Sequence, residues 1–415
     1  MGYECIVIGA GIQGSFTAYH LAKNNKKTLL LEQFVLPHSR GSSHGQTRII
    51  RKAYEDDFYI HMLEESYELW VQLEHEAGVK LYRQTGLLLM GPENAEDLQL
   101  IKNSMQRNKV PSVVLERHEF SQHIPSVNLT SGNEAIVETS AGILYADRAL
   151  RAVQTVFQSH GGEIKDGEKV INIEPGDVIT VTTDSGTYQA KNLVITAGPW
   201  AKTLLSHTGL QLPLKVLKIN VCYWKEKVPG TYSIKNRFPC FIQLQPKEAQ
   251  HDIYGLPSNE YPGLMKVSIL DNNCDITETW QASNDFVELN LLFPPGFSPL
   301  AKASIWSETE PDERDRQKDR RDIDALSSYI SCCFPGLVPV PAVEESCMYT
   351  VTPDKHFVLD RHPAYSNIVI GAGFSGHGFK FGPVVGKVLC ELSMGQNPSY
   401  DLSPFSIQRF RANPE

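Results

Sequence analysis

The first 32 residues contain the feature that most constrains the fold of this chain. An apolar run at residues 5–8 is followed by the glycine-rich sequence GAGIQG at residues 9–14, and a second apolar run at residues 28–31 ends at Glu32. This order predicts a strand, a tight turn, a helix and a second strand, with an acidic residue 18 positions after the last glycine.

Each glycine of the turn has a separate role in a dinucleotide-binding unit. Gly9 allows the tight turn, Gly11 lets the backbone approach a pyrophosphate, and Gly14 permits close packing of helix against strand. The helix N-terminus supplies N–H groups and the positive end of its dipole, and Glu32 would accept hydrogen bonds from an adenosine ribose. An ordinary glycine-rich turn is the alternative, but the flanking strands and the acid favour dinucleotide binding.

Length, charge and cysteine spacing exclude several classes of protein. A chain of 415 residues is too long for one small core and predicts two or three structural units. The formal net charge of −9 argues against nucleic acid as a partner, because phosphate binding needs a local excess of Lys and Arg. No apolar run reaches the roughly 18 residues of a membrane span. The eight cysteines form no CxxC pair, so we expect neither a disulfide framework nor a metal site. The same spacing predicts that the protein lies in a reducing intracellular compartment.

A second strand-to-glycine sequence lies near the other end of the chain, at residues 367–373. Residues 193–198 form another apolar run that ends at a glycine, and residues 214–268 alternate apolar and polar residues as an antiparallel sheet does. We therefore predict an α/β protein, α+β overall, in which a discontinuous nucleotide-binding domain carries an interleaved second domain. FAD is favoured over NAD, because a long extended flavin needs backbone from several distant segments to hold it.

The predicted boundaries follow from this arrangement. A Rossmann-like FAD-binding domain would comprise residues 1–88, 146–217 and 325–415, and an antiparallel-sheet substrate domain would comprise residues 89–145 and 218–324.

Four sequences carry a resemblance to a known family. They are GAGIQG at residues 9–14, HSRGSSHGQTRIIR at residues 38–51, CMYT at residues 347–350 and GFSGHGFK at residues 373–380. Together they resemble the monomeric sarcosine oxidase family of the amine-oxidising flavoproteins, especially its vertebrate peroxisomal branch, which acts on sarcosine and L-pipecolate. The resemblance extends over nearly the whole chain.

The resemblance implies a flavin site with one covalent bond. Cys347 stands where the family joins a cysteine sulfur to the 8-methyl carbon of the flavin, although by itself it is typical of a buried core cysteine. Such a bond would raise the oxidising power of the flavin and prevent its loss. The residues implied to bind FAD are Gly9, Ala10, Gly11, Ile12, Gly14, Glu32, Ser43, Thr47, Arg48, Val170, Ala197, Gly198, Trp200, Cys347, Met348, Gly376, His377 and Gly378.

Three cations are implied to serve the substrate and the flavin. Arg51 and Lys380 would bind the carboxylate of an amino acid substrate, and Arg48 would lie against the flavin ring as a catalytic residue. Arginine suits a carboxylate because its planar group binds it bidentately. Surface charge is the alternative, most of all for Lys380.

The remaining catalytic residues are also implied by the resemblance. Tyr254 and Tyr349 would line the pocket over the flavin, with a core tyrosine as the alternative for each. Lys266 would activate oxygen, because a cation stabilises the negative charge that develops on O2. The implied reaction oxidises sarcosine, L-pipecolate or L-proline to an imine and reduces O2 to hydrogen peroxide. A general base is not required, since the amine can lose its proton through desolvation.

One segment departs from the family. The family has a histidine four residues after the lysine, where this chain has Leu270, and residues 269–307 have no counterpart that matches. We interpret them as an atypical segment, either inserted or mis-spliced, which is expected to disturb the strand of Lys266 and to lower turnover. One alternative is therefore a catalytically impaired isoform or pseudoenzyme. Independently of this segment, a flavin amine dehydrogenase that uses another electron acceptor is the second alternative.

The ends of the chain give the expectations about location. The residues before the first strand leave no room for a signal peptide, and the last four residues, ANPE, differ from the Ser-Lys-Leu type of peroxisomal signal. We expect a peroxisomal location from the resemblance, or a cytoplasmic one otherwise, and a monomer without membrane or nucleic acid partners.

Overall fold

Two eight-stranded sheets and one three-stranded sheet form the framework of the protein in a computed structural model. The structure describes residues 2–249, 251–259, 261–270, 308–316 and 320–410. The α-helices within these ranges are α1 (Ile12–Lys23), α2 (Asp57–Ala77), α3 (Glu96–Arg107), α4 (Arg117–His123), α5 (Ala146–Ser159), α6 (Ala201–Ser206), α7 (Arg321–Cys333) and α8 (Gly382–Ser393). Short 3-10 turns lie at Gly198–Trp200, Ile234–Asn236, Pro311–Arg316, Phe379–Phe381, Ser403–Phe405 and Ile407–Phe410.

The strands in chain order are β1 (Tyr3–Ile8), β2 (Thr28–Leu31), β3 (Thr47–Ile50), β4 (Tyr82–Gln84), β5 (Leu87–Pro92), β6 (Ser112–Leu115), β7 (Asn133–Glu138), β8 (Gly142–Tyr145), β9 (Glu163–Lys165), β10 (Val170–Glu174), β11 (Ile179–Thr183), β12 (Thr187–Ile195), β13 (Lys215–Glu226), β14 (Cys240–Gln243), β15 (Asp252–Leu256), β16 (Leu264–Leu270), β17 (Leu337–Val351), β18 (Val358–Arg361) and β19 (Ile368–Ala372).

The first sheet has a parallel centre in the order β12-β1-β2-β9, and β19 pairs in parallel with the second half of β12. The antiparallel strands β10, β11 and β18 complete it. Ile8 at the end of β1 lies opposite both Leu31 and Ile195. Because the carboxyl ends of parallel strands meet at one edge, the glycine turn, Glu32 and the turn after β12 come together although they are far apart in sequence.

Gly14 sets how closely α1 approaches this sheet. A Cβ added at Gly14 would lie 2.0 Å from the carbonyl oxygen of Gly9 and 2.5 Å from Oγ1 of Thr196. The backbone of Gly9 has a φ of +98°, a left-handed value that favours glycine. The glycine pattern of the sequence therefore corresponds to a turn that no larger residue fits at these two positions.

Replacing Gly14 with alanine should destabilise the protein by about 3 kcal/mol, at the upper end of overpacking costs, because the contacted Gly9 oxygen belongs to the backbone and has little freedom to move. Urea unfolding of the variant and the flavin content of the purified protein would measure both consequences. Gly186→Ala is a matched control, since a Cβ there would come no closer than 3.7 Å to its nearest neighbour. An unchanged unfolding midpoint with full flavin content would contradict the prediction.

The second sheet has the order β17-β13-β16-β15-β14-β5-β7-β6, and all its pairs are antiparallel except β14 with β5. Helix α7 packs against β17 and buries Leu326, Tyr329 and Ile330 in the core beneath the sheet. The third sheet has the order β3-β8-β4, and β3 directly follows the long polar loop in the chain.

The predicted domain boundaries at 88, 217 and 325 remain a prediction, because membership of a sheet does not by itself define a domain. Strands β5, β13 and β17 belong to the second sheet, although the boundaries assigned all of β17 and parts of the other two to the FAD-binding domain. The register of β13 with β17 runs from Lys215 opposite Val351 to Glu226 opposite Leu337. A pairing between strands so distant along the chain leaves no signal in the local pattern from which the boundaries were drawn.

Strand β16, which bears Lys266, is formed through Leu270 and pairs on one side with β13 and on the other with β15. The expectation that this strand is disturbed is therefore wrong for the described residues, because both neighbours hold it in register. Of the atypical segment, residues 271–307 lie outside the part of the chain that the structure describes.

The predicted mixed α/β class with two interleaved sheet units is confirmed. None of the helices in the described ranges has both the length and the apolar composition that crossing a membrane requires.

Candidate active site

A cavity of about 1370 Å³ extends from the glycine turn and Glu32 to Lys380. Every residue predicted to form the site lines this cavity except Gly14, which lies behind the turn and fixes its shape. The first sheet contributes the turns at its carboxyl edge, the second contributes residues of β13, β14, β15, β16 and β17, and the third contributes residues of β3. The site is therefore assembled from all three sheets.

The N-terminus of α1 is suited to a phosphate. Its first turn contains no acidic residue, and the N-cap residue Gly11 has no side chain that could cap it. Ser43, in the polar loop before β3, accepts a hydrogen bond from the Ile12 N–H at 3.0 Å, and a Cβ added at Gly11 would lie 3.1 Å from Oγ of Ser43. The absence of a side chain at Gly11 thus lets a ligand in the cavity approach the backbone at the positive end of the helix dipole, where a pyrophosphate fits.

Glu32 lies at the same end and is only 7% exposed. Its Oε2 accepts from the Ala10 N–H at 2.9 Å, its Oε1 accepts from the Phe34 N–H at 3.2 Å, and Nε2 of His38 lies 3.4 Å from Oε1. A carboxylate has about four acceptor sites, so capacity is left for the hydroxyls of a ribose. The residues at this end fit the adenosine half of FAD.

Arg48 holds the polar loop that covers the cavity. Its guanidinium donates to the carbonyl oxygens of Ser42, His44 and Thr47 at 2.7–2.9 Å and lies 5.6 Å from the centre of the Phe379 ring. The sequence predicted a place against the flavin ring for Arg48, and the structure adds this role in fixing the loop, which only the folded backbone reveals.

The second sheet presents the remaining predicted catalytic side chains to the cavity. Lys266 lies opposite Tyr223 and Leu256, is 6% exposed, and places Nζ 5.9 Å from the centre of the Tyr223 ring. Tyr254 is half-buried, and burial raises the pKa of its hydroxyl.

Two further side chains follow on β17. Cys347 and Tyr349 are two residues apart and therefore share one face of the strand, toward the cavity that both line. The Cys347 sulfur is half-buried, 3.9 Å from the carbonyl oxygen of Gly41.

Arg51 and Lys380, here called the cationic pair, lie at the other end of the cavity. Lys380 is 5% exposed and donates to the hydroxyl of Tyr54 and the carbonyl oxygen of His377, both at 2.8 Å. The guanidinium of Arg51 lies 4.1 Å from the centre of the Tyr54 ring. Burial, with the positive charge of Arg51 as the second cause, lowers the pKa of Lys380 well below its ordinary value. Among the described residues no carboxylate forms an ion pair with either cation, so the pair can receive an anion.

His377 was predicted to bind the cofactor, and it lines the cavity. Its ring contacts Tyr54 through Nδ1 at 3.3 Å and the carbonyl oxygen of Lys355 through Nε2 at 3.2 Å. Both ring nitrogens are therefore used within the protein, and the main-chain carbonyl oxygen of His377 accepts from Lys380, so His377 lies between the cofactor end and the cationic pair.

Two residues of the site were missed by sequence reasoning. Tyr54 contacts both members of the cationic pair, and Glu138 is 1% exposed and accepts from the N–H groups of Lys52 and Ala53, directly after Arg51. Burial raises the pKa of Glu138. An acidic residue at the end of the apolar strand β7 was the signal that could have identified Glu138, because a buried carboxylate requires partners.

Comparisons with known proteins agree with this geometry. A family model described as "DAO: FAD dependent oxidoreductase" matches residues 4–392. The chain is 52% identical to peroxisomal sarcosine oxidase of Homo sapiens over 411 residues, covering 98% of this chain and 96% of that protein. It is 32% identical over 415 residues to monomeric sarcosine oxidase of Bacillus sp. (strain NS-129), covering 98% and 97% of the two chains.

Solved structures show the same fold at lower identity. NikD, an unusual amino acid oxidase essential for nikkomycin biosynthesis, aligns with a TM-score of 0.79 at 22% identity, covering 98% of this chain and 97% of that chain. Glycine oxidase of Geobacillus kaustophilus aligns with a TM-score of 0.74 at 17% identity, covering 98% of each chain. From the family match, the identity to its relatives and the shared fold, we conclude that this chain belongs to the FAD dependent oxidoreductase family and, within it, to the sarcosine oxidases.

Proposed function

We propose that this chain uses FAD to oxidise a small secondary amino acid to an imine and passes the electrons to O2, which yields hydrogen peroxide. The observation that carries the proposal is the cationic pair, two positive side chains at one end of a cavity whose other end fits adenosine and pyrophosphate. Sarcosine appears in the names of the relatives, and L-pipecolate and L-proline share its secondary amine and carboxylate. One anion-binding end can therefore serve all three.

The residues of the chain would orient the substrate for this reaction. Arg51 and Lys380 would bind the carboxylate, which places the amine and its neighbouring carbon deeper in the cavity, between Tyr254 and Tyr349. These tyrosines would exclude water, and the loss of water favours the neutral amine that the reaction needs. When bound, FAD supplies the acceptor for the hydride equivalent that leaves the carbon next to nitrogen.

An active oxidase is favoured over an impaired isoform by the state of β16. The strand pairs with β13 over residues 264–267 and with β15 over residues 266–270, so Lys266 is paired on both sides and remains buried beside the cavity. The dehydrogenase alternative differs in its electron acceptor, and Lys266 favours O2 because a buried cation stabilises charge developing on oxygen.

A peroxide-coupled assay with sarcosine, L-pipecolate and L-proline tests the proposed reaction. We expect peroxide in amounts equal to the substrate consumed under air, and no turnover under argon. Turnover under argon with an artificial acceptor, without peroxide under air, would identify the dehydrogenase. Absence of turnover with all three substrates under both conditions would contradict the proposed substrate class.

We propose in addition that the flavin is bound covalently through Cys347. The half-buried sulfur lines the cavity on β17, opposite Ile219, and is reachable from the space that the flavin would fill. Acid precipitation of the wild-type protein should give a yellow pellet, and the pellet of Cys347→Ser should be colourless because a serine oxygen forms no thioether. Cys332→Ser changes an exposed cysteine and should keep the yellow pellet. Release of flavin from the wild-type protein would disprove the covalent bond.

The location and assembly of the enzyme are also proposals. The human and mouse relatives are named as peroxisomal, and the Bacillus relative is named as monomeric. We propose the same for this chain. Microscopy of an N-terminally labelled protein and light scattering of the purified enzyme would test the two statements separately.

A further inference from the structure

Tyr54 contacts both members of the cationic pair. Its hydroxyl accepts a hydrogen bond from Nζ of Lys380 at 2.8 Å, and the face of its ring lies 4.1 Å from the guanidinium carbon of Arg51. We propose that Tyr54 is a positioning residue that holds Arg51 and Lys380 in the arrangement that binds the substrate carboxylate. This inference rests on the proposed function and adds a residue that neither the sequence motifs nor the comparisons assign.

The hydroxyl of Tyr54 belongs to a directed chain of hydrogen bonds. It accepts from Lys380 and therefore donates to Nδ1 of His377 at 3.3 Å, while Nε2 of His377 donates to the carbonyl oxygen of Lys355 at 3.2 Å. Each donor in this series of hydrogen bonds has one acceptor if His377 is neutral with its proton on Nε2. Burial lowers the pKa of His377 well below its ordinary value, in agreement with a neutral ring. These hydrogen bonds keep a lone pair of the Tyr54 oxygen directed toward Nζ of Lys380.

The ammonium of Lys380 retains one donor for a ligand. It has three N–H groups, of which Tyr54 and the carbonyl oxygen of His377 take two within the described part of the chain. With two donors held by fixed acceptors, the third N–H has a defined direction. A substrate carboxylate that accepts from it meets a pre-oriented ammonium, which lowers the cost of binding.

The ring of Tyr54 acts on Arg51 by a different interaction. A guanidinium over an aromatic face is attracted by the negative face of the ring, and this attraction holds the guanidinium of Arg51 against Tyr54. Arg51 and Lys380 repel each other as like charges, and the one tyrosine provides an attractive contact to each. The ring and the hydroxyl of Tyr54 thus hold Arg51 and Lys380 on one side chain, with no carboxylate among the described residues paired to either cation.

Tyr54 is itself held rigidly. It is 8% exposed and packs against the rings of Tyr59 and Phe381, with ring centres 5.1 Å and 5.7 Å away. The backbone before it is anchored by Glu138, which accepts from the N–H groups of Lys52 and Ala53. Because both its ring and the backbone before it are held, Tyr54 can hold Arg51 and Lys380 in fixed positions.

The test compares Tyr54→Phe with Tyr59→Phe in the flavin-loaded enzyme. The first removes the hydroxyl that Lys380 uses and keeps the ring under Arg51, whereas the second removes a neighbouring hydroxyl that bonds His356 at 3.2 Å and touches neither cation. We expect Tyr54→Phe to raise the KM for sarcosine about tenfold with a much smaller change in kcat, which is the size of losing one charge-assisted hydrogen bond. Tyr59→Phe should leave KM within about twofold, as expected when no such bond is lost.

A second readout does not depend on turnover. The change in flavin absorbance on adding propionate, a carboxylate without an amine, gives the affinity of the cationic pair directly. We expect Tyr54→Phe to weaken propionate binding about tenfold, and to have no further effect when Lys380 is already replaced by methionine, because Tyr54 acts through Lys380. Tyr54→Leu, which also removes the ring, should weaken binding further, and circular dichroism verifies that each variant is folded.

The outcomes distinguish the positioning role of Tyr54 from the proposed function of the enzyme. Unchanged propionate affinity in folded Tyr54→Phe, an equal loss in Tyr59→Phe, or a full loss that persists in the Lys380→Met background would overturn the positioning role. Tight propionate binding by a wild-type enzyme that oxidises none of the secondary amino acids would overturn the proposed function and leave the positioning role supported by the affinities. A wild-type enzyme that binds no carboxylate would overturn both.

Discussion

Replacing Lys380 with methionine should lower kcat/KM for a secondary amino acid about a hundredfold, equivalent to about 2.7 kcal/mol. The ammonium is 5% exposed and held by two neutral acceptors, so its charge is available to a substrate carboxylate. Methionine has a similar length and removes only the charge and its donors. Steady-state kinetics should show the loss mainly as a higher KM, since the carboxylate does not take part in the chemical step.

The same substitution should stabilise the unliganded protein. A buried ammonium without an ion-paired carboxylate in the described chain costs free energy, and its lowered pKa expresses that cost. Because the folded state binds this proton less tightly than the unfolded state, wild-type stability should rise as the pH increases toward the ordinary lysine pKa. Thermal unfolding at several pH values would measure this rise, and it should be smaller in Lys380→Met.

A matched control for Lys380→Met is Lys387→Met. Lys387 lies on α8, forms an ion pair with Glu65 and does not line the cavity. Its replacement should leave KM unchanged. If Lys380→Met retained the KM of the wild type, or if Lys387→Met raised it equally, the cationic pair would not be the site of carboxylate binding.

Replacing Lys266 with methionine should slow the reaction of the reduced enzyme with O2 about 10²- to 10³-fold, the usual size for removing one preorganised electrostatic contact. Lys266 is 6% exposed on β16 and lines the cavity on the side of the second sheet. In so buried a place a positive charge acts strongly on the negative charge that develops on oxygen. The effect should be specific to this half of the reaction.

Rapid mixing separates the two halves. Anaerobic mixing with sarcosine should show substrate oxidation at close to the wild-type rate in Lys266→Met, and mixing the reduced enzyme with O2 should show the loss. Lys225→Met is the control, because Lys225 is exposed on the neighbouring strand β13, opposite Leu264. Equal slowing of both halves would indicate damage to the site as a whole, and an unchanged reaction with O2 would exclude Lys266 from oxygen activation.

Several local features of the protein were predictable from its sequence. The turn at residues 9–14, α1 and β2 follow from apolar periodicity and from glycines at positions where no side chain fits. The site residues implied by the resemblance line one cavity, apart from Gly14. Such signals are encoded within about 20 residues, so they are readable before any tertiary contact is known.

Contacts between distant residues could not be predicted in the same way. The pairing of β17 with β13 joins strands that chain order does not bring together. The strand of Lys266 was expected to be disturbed, yet its two neighbours in the sheet hold it in place. Cross-strand hydrogen bonds outweigh local irregularity, and only the assembled sheet contains them.

By itself, the sequence determined the α/β class, the dinucleotide-binding turn with Glu32, and, through its motifs, the family and the candidate site residues. Only the tertiary structure decided which residues act on one another. Arg48 donates to three backbone carbonyls of its loop, and Tyr54 joins Arg51, Lys380 and His377 although Lys380 and Tyr54 are 326 positions apart. The physical reason is that hydrogen bonds and charge contacts depend on distances of a few ångströms between atoms, which are fixed only when the three sheets have closed around the cavity.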